Sequence, residues 1–263
     1  MIPNVLAIAG VDPSGGAGVL ADIKAISANG AYAMGVVTAL TAQNTRGVTG
    51  IELVSPEFVT RQIDAVFDDI RVDAVKIGMV ATAEIASAIA EALQRHGARH
   101  IVLDPVMIAK SGDRLLAEDA VAAIRDELIP LAEVITPNLP EAAALLGAPE
   151  PLDIVGMRAM AVALRALGPQ AVLLKGGHLA GPEATDVLAD GDGLREFTVP
   201  RVATKNTHGT GCTLSSAIAA LLPVMPRAEA IGRAKAYLTE ALKHADELSV
   251  GHGHGPVRHF LGR

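Results

Sequence analysis

Residues 205–220 read KNTHGTGCTLSSAIAA, with polar residues running into a tight Gly209-Thr210-Gly211 turn, then Cys212, then a small-residue helical pattern. Two glycines let the backbone bend with its N–H groups pointing one way. A helix start adds amides without intrahelical acceptors and the positive end of the dipole. Together these make a site for an anion, most simply phosphate. Cys212 is the chain's one cysteine. At a helix start its thiolate is favoured and its pKa is expected below about 8.5. Among Ala and Leu a lone cysteine also reads as a small buried hydrophobe.

Other chemistry-bearing residues stand at the ends of apolar runs. Asp104 closes the run before Pro105; a carboxylate there is costly to bury unpartnered, so it should face a cleft. Lys175 precedes Gly176 and Gly177. It suits nucleotide phosphates, with glycines that let the backbone come close, or it snorkels from a sheet edge. Asn138-Leu139-Pro140-Glu141 has the spacing of a helix capping box. The opening Gly10-Val11-Asp12-Pro13-Ser14-Gly15-Gly16-Ala17-Gly18 is neither GxGxxG nor a P-loop, and reads as a structural turn or a ligand loop. Asp22 follows in the next helical pattern, where an early acid suits the dipole. Gln43 lies in LTAQNTRG, residues 40–47, a polar loop, and Met79 reads as packing. The closing GHGHGP, residues 251–256, lacks cysteine or carboxylate partners at ligand spacing, so a Gly/Pro-rich end is favoured over a metal site.

These residues need a scaffold, and the apolar pattern supplies one. Strand-length runs at 5–10, 32–40, 74–79, 100–106, 133–136 and 171–175 alternate with helical patterns at 17–29, 56–69, 83–96, 117–128, 140–146, 154–167, 213–222 and 227–248. Residues 185–188 and 195–199 flank Asp190-Gly191-Asp192-Gly193, a hairpin turn. The alternation predicts an α/β fold with a mostly parallel central sheet and helices on both faces. Ligands then sit beyond the carboxyl ends of the strands, where the residues above collect.

No linker, repeat or low-complexity tract divides the chain, so 1–263 is read as one domain. Half the residues are hydrophobic and 2% aromatic, so aliphatic side chains must fill the core. The net charge of −7 comes without a basic block, which argues against nucleic acid. A single cysteine suits a reducing cytoplasm, and no signal-peptide pattern opens the chain. The longest uncharged stretch, 25–45, is broken by Asn29, Gly30 and Gly35, so no membrane span is expected.

The turn at 209–212 resembles the anion hole of the ribokinase-like small-molecule kinases, which mostly carry Asp where this chain has Cys212. With Thr-His before the glycines and Cys after them, the chain is similar to the hydroxymethylpyrimidine/phosphomethylpyrimidine kinases of thiamine synthesis. The likeness runs from Ala9 to about His259 through the first loop, QNTRGV, DPVMIAKSGD, TPNLPEAAALL, LLKGGH and KNTHGTGCTLSSA. Many members have Ser or Thr at the position of Val11.

The resemblance implies a ribokinase-like three-layer sandwich. It also implies transfer of the γ-phosphate of ATP to hydroxymethylpyrimidine and then to its monophosphate, with magnesium and in a homodimer. Gly209, Thr210, Gly211 and Cys212 would serve catalysis, with Cys212 taking the hydroxyl proton. Gln43, Asp22, Met79 and Val106 would hold the pyrimidine and Lys175 the nucleotide. Asp104, Asn138 and Glu141 would tune magnesium, partly through water. A carboxamide at Gln43 matches an aminopyrimidine edge, which pairs a ring acceptor with an amine donor. Lys110, in AKSGD, would belong to a mobile flap. Pyridoxine or pyridoxal kinase is the alternative activity, and a non-catalytic pyrimidine-binding protein a more distant one.

Overall fold

A computed structural model describes residues 1–107 and 118–261. The AKSGD segment with Lys110 lies outside them.

Nine strands form one sheet among the described residues: β1 (Asn4–Val11), β2 (Tyr32–Asn44), β3 (Gly47–Leu53), β4 (Ala74–Ile77), β5 (Ile101–Leu103), β6 (Val134–Ile135), β7 (Ala171–Leu174), β8 (Glu183–Asp190) and β9 (Gly193–Pro200). The order is β3-β2-β1-β4-β5-β6-β7-β8-β9. From β2 to β7 every neighbouring pair is parallel, and an antiparallel hairpin closes each edge: β2–β3 on one side, β8–β9 on the other.

The helices are α1 (Gly18–Ala28), α2 (Pro56–Phe67), α3 (Ala83–Arg95), α4 (Glu118–Ala123), α5 (Leu139–Leu146), α6 (Ile154–Arg165), α7 (Thr210–Leu221) and α8 (Arg227–Lys243). Their starts are written into the sequence. Ser55, Thr82, Asn138 and Asp153 each accept a first-turn amide, and Pro56 and Pro140 suit positions where the N–H is spare.

Side-chain alternation along the strands makes two cores. Leu6, Ile8 and Ile77 face α2, α3, α5 and α6; Val5, Ala7 and Val102 face α1, α7 and α8. Helix–sheet–helix is therefore a three-layer sandwich, as expected, filled with aliphatic side chains.

Three expectations change. The polar stretch after residue 40 is not a loop: β2 continues to Asn44, and residues after the Thr45-Arg46 turn pair back as β3. The hairpin runs past the sheet with both faces largely exposed, so its residues are polar although extended. The helix of the anion turn begins at Thr210, not at 213, with Gly209 as its cap. The final helix ends at Lys243 and is followed by a short 3-10 turn, Ala245–Glu247. The carboxyl ends of β1, β4, β5, β6 and β7 open on one side of the sheet, and α7 begins there.

Candidate active site

Gly209 caps α7 in the left-handed conformation, φ +74°, where side chains are strained. A Cβ on it would also stand 1.8 Å from the carbonyl oxygen of Gly16. The anion turn is thus pressed onto the loop after β1. The amides of Gly211 and Cys212 lie in the first turn of α7 and have no intrahelical acceptor. A Cβ on Gly211 would meet Asp104 Oδ2 and Lys175 Nζ, each at 3.2 Å. The turn therefore rests directly on a charged pair, whose atoms would have to give by a few tenths of an ångström to admit a side chain at Gly211.

That pair is Lys175 Nζ to Asp104 Oδ1 at 2.8 Å, with Glu141 Oε2 at 3.9 Å from the same nitrogen. Thr136 Oγ1 donates to Asp104 Oδ1 at 3.2 Å. Burial works against the Lys175 charge, yet the two carboxylates outweigh it and hold its pKa above the ordinary lysine value. Burial pushes Glu141 up, Asp104 adds to the push, and Lys175 pulls back without reversing it. The capping box is present: Asn138 Oδ1 accepts from Glu141 N at 2.9 Å, and Asn138 N donates to Glu141 Oε2 at 2.7 Å. Asn138, Glu141, Asp104 and Lys175 all line one cleft of about 620 Å³. Among the described residues no three His, Cys, Asp or Glu side chains converge as a metal cage. Two carboxylates beside a phosphate-ready turn suit magnesium, which keeps waters and takes few protein ligands.

Cys212 is partly exposed on the cleft wall. Its sulfur receives the Gly18 amide. The expected low thiol pKa is not found: burial pushes the thiol up to about 11, Asp22 and Asp104 reinforce that, and Lys76 only partly opposes it. The helix start does not compensate for partial burial beside the Asp22 and Asp104 carboxylates.

Asp22 is the other correction. It is absent from the cleft wall and fully buried beneath it. Both of its oxygens lie 2.8 Å from Lys76 Nζ, and Ser216 Oγ donates to it at 2.8 Å. Lys76 is itself fully buried inside β4 and requires a counter-charge, which Asp22 supplies. The pair braces α1 and α7 against the sheet instead of reaching a ligand.

Gln43, Met79 and Val106 line the same cleft, with Gly10 and Val11 beside them. Met79 packs with Ala39, Ala81 and Val106. Gln43 projects from β2; its Oε1 lies 3.1 Å from Thr41 Oγ1, which also donates to Val11 O at 2.9 Å.

Two further contributors had no role assigned from sequence. Asp12 accepts from Ser14 N, Ser14 Oγ and Ala17 N, and lies 2.7 Å from His208 Nε2. Burial alone would raise Asp12, but His208 and Ser14 hold it below the ordinary carboxylate range. This buried contact locks the first loop to the anion turn. An Asp two residues before a Ser, followed by glycines, was the available signal for such a turn. At the far end of the cleft, Ala184, Val199, Val202, Leu238 and Leu242 form an apolar wall around the buried Lys235–Asp186 pair, 2.6 Å apart.

The chain is similar to known proteins over nearly its whole length. The family model described as phosphomethylpyrimidine kinase matches residues 12–258. A hydroxymethylpyrimidine/phosphomethylpyrimidine kinase of Escherichia coli is 54% identical over 98% of this chain and 97% of its own. A crystal structure of a phosphomethylpyrimidine kinase from Clostridium difficile superposes with a TM-score of 0.82 at 44% identity, covering 92% of this chain and 100% of that one. The ADP complex of Bacillus subtilis pyridoxal kinase superposes with a TM-score of 0.91 at 34% identity, over 98% of each chain.

Proposed function

This chain belongs to the phosphomethylpyrimidine kinase family, and we propose that it moves the γ-phosphate of ATP onto the alcohol of 4-amino-5-hydroxymethyl-2-methylpyrimidine, and then onto the monophosphate so formed. The observation that carries this reading is the seat of the Gly209–Cys212 amides on the Lys175–Asp104 pair, inside the cleft that Gln43 also lines.

Each part of the chain has a task. Phosphoryl transfer passes through a loose transition state whose charge spreads over the moving oxygens, so catalysis rests on position and electrostatics. The amides of Gly211 and Cys212, with the Lys175 ammonium, stabilise that charge. Gln43 pairs with the aminopyrimidine edge while Met79 and Val106 cover the ring, and this holds the alcohol in reach. A site built for that amine rejects rings that lack it. The apolar wall between β9 and α8 takes the nucleotide base. Asp104 and Glu141 would hold magnesium, with Asn138 fixing Glu141; when bound, the ion supplies neutralising charge on the phosphates. Cys212 accepts the hydroxyl proton in its thiolate form. Since the ligand-free pocket disfavours that form, kcat should climb with pH beyond 8 instead of levelling off near about 8.5, the range of an ordinary thiol.

The sheet runs unbroken across its nine strands, which supports reading 1–263 as one domain. Leu40, Ile51 and Leu53 are exposed apolar residues on the β2–β3 hairpin and support a homodimer. No helix among the described residues is long and apolar enough to cross a membrane.

The test is ATP consumption with hydroxymethylpyrimidine and magnesium, followed by mass analysis. Mono- and diphosphate products are expected. Monophosphate alone would restrict the assignment to the first step, and no ATP consumption despite pyrimidine binding would reject it. Pyridoxal phosphorylation is the second reading, favoured by the close superposition on a pyridoxal kinase. Faster turnover of pyridoxal than of the pyrimidine under the same conditions would establish it instead.

A further inference from the structure

The segment GHGHGPVRH, residues 251–259, is not part of the cleft wall. Its backbone nevertheless fastens both working ends of the cleft. At one end it grips the tip of the β2–β3 hairpin: Gly253 N donates to Thr45 Oγ1 at 3.1 Å, and His254 N donates to Thr45 O at 2.9 Å. The approach is close. A Cβ on Gly253 would stand 2.0 Å from Thr45 O, and one on Gly251 2.2 Å from Thr45 Oγ1.

In its middle the segment bonds to the chain leading into the anion turn. Gly255 N donates to Asn206 Oδ1 at 3.0 Å, and His208 N donates to Gly255 O at 3.0 Å. At its far end the buried His259 lies 3.0 Å from Thr213 Oγ1, one residue beyond Cys212. The Thr213 hydroxyl proton is given to Gly209 O at 2.8 Å. With the proton so placed, His259 donates to Thr213 through Nε2–H; in its other tautomer it accepts from the hydroxyl. The strap thus also braces the first turn of α7.

The hairpin needs such a fastening. Thr45 is buried while its neighbours Asn44 and Arg46 are exposed, and most of β3 is exposed. The β2–β3 register is also broken between Ala42 and Gln43, beside the carboxamide to which the proposed function gives the pyrimidine.

We propose that Thr45 is a positioning residue: held by the backbone of Gly253 and His254, it sets the distance from Gln43 to the Gly209–Cys212 turn, so that the acceptor alcohol meets the phosphoryl group in line. This rests on the kinase reading above. It gives the C-terminal glycines a task in acceptor recognition and none in metal binding.

The test is steady-state kinetics of the full chain and of Thr45→Val, Thr45→Ser and Gly253→Ala. The pyrimidine is varied at saturating ATP and magnesium, then ATP at saturating pyrimidine. Turnover by the unmodified chain tests the kinase reading by itself; the differences among variants test the strap. Loss of one hydrogen bond should lower kcat/KM for the pyrimidine about 5-fold in Thr45→Val, leaving the KM for ATP within about 2-fold. Thr45→Ser keeps the hydroxyl and should stay within about 2-fold of the unmodified chain in both. Gly253→Ala should lose more than Thr45→Val, because the added Cβ forces the strap off the hairpin. Unchanged pyrimidine kinetics in Thr45→Val would overturn the proposal. So would a parallel loss for both substrates in which Ser rescues nothing, the mark of general loosening. Should Gly253→Ala fail to fold, the two Thr45 variants decide.

Discussion

The two hairpins that close the sheet are held in opposite ways. The β8–β9 pair keeps an unbroken register from Glu183↔Pro200 to Asp190↔Gly193, and β8 packs into the cores on both faces. A buried ion pair, Lys235 to Asp186, ties it to α8. The β2–β3 pair breaks register beside Gln43, stands largely in solvent, and is fastened at its tip by the C-terminal strap. Under the proposed function, the difference follows the work each hairpin would do. An apolar wall for a nucleotide base can be anchored by the core beneath it. A carboxamide that must recognise one ring at one distance is set from outside, by a segment that also touches the phosphate turn.

Cutting the anchor of the second hairpin should have the largest effect. Lys235→Met leaves the buried Asp186 without its partner and should cost about 3–5 kcal/mol of stability by chemical denaturation. The same variant should raise the KM for ATP more than that for the pyrimidine. An equal rise in both would erase the distinction between the hairpins.

Next comes the strap, through His259. Burial, with Lys24 nearby, holds its pKa down to about 4, against the usual 6.5. Between these values the unfolded chain binds the proton and the folded chain does not. This contribution is therefore complete above about 6.5 and is lost as pH falls toward 4, by about 3 kcal/mol. Denaturation midpoints at pH 7 and 4.5 should show that slope. His259→Gln, which can still donate to Thr213, should flatten it, and an unchanged slope would remove His259 as its source.

The smallest of these effects sharpens the role of the first hairpin. Gln43→Ala should raise the KM for hydroxymethylpyrimidine about 10- to 30-fold, for two hydrogen bonds lost, with stability near that of the unmodified chain. A fall in stability without a change in KM would make Gln43 a structural residue.

Much of this organisation is legible in the residues. Apolar runs mark six central strands, and the Asp190-Gly191-Asp192-Gly193 turn marks the β8–β9 hairpin. The β2–β3 hairpin is hidden because a strand exposed on both faces loses the alternation that burial imposes. Asp22 is misread for another reason. Its partner Lys76 is 54 residues away, and only a lysine inside the apolar AVKI run hints that an acid must meet it. The thiol of Cys212 is misjudged because sequence displays the helix start but not the partial burial beside Asp22 and Asp104 that opposes its charge. The strap joins Thr45 to Gly253 across 208 residues, a separation at which no local pattern helps.

The most direct test of the central claim is a crystal structure of the chain with a non-hydrolysable ATP analogue, magnesium and hydroxymethylpyrimidine. The γ-phosphate is expected within about 3 Å of the Gly211 and Cys212 amides, with the pyrimidine edge on Gln43 and its alcohol turned toward phosphorus. A γ-phosphate seated away from that turn, or a pyrimidine bound where Gln43 cannot reach it, would contradict the claim.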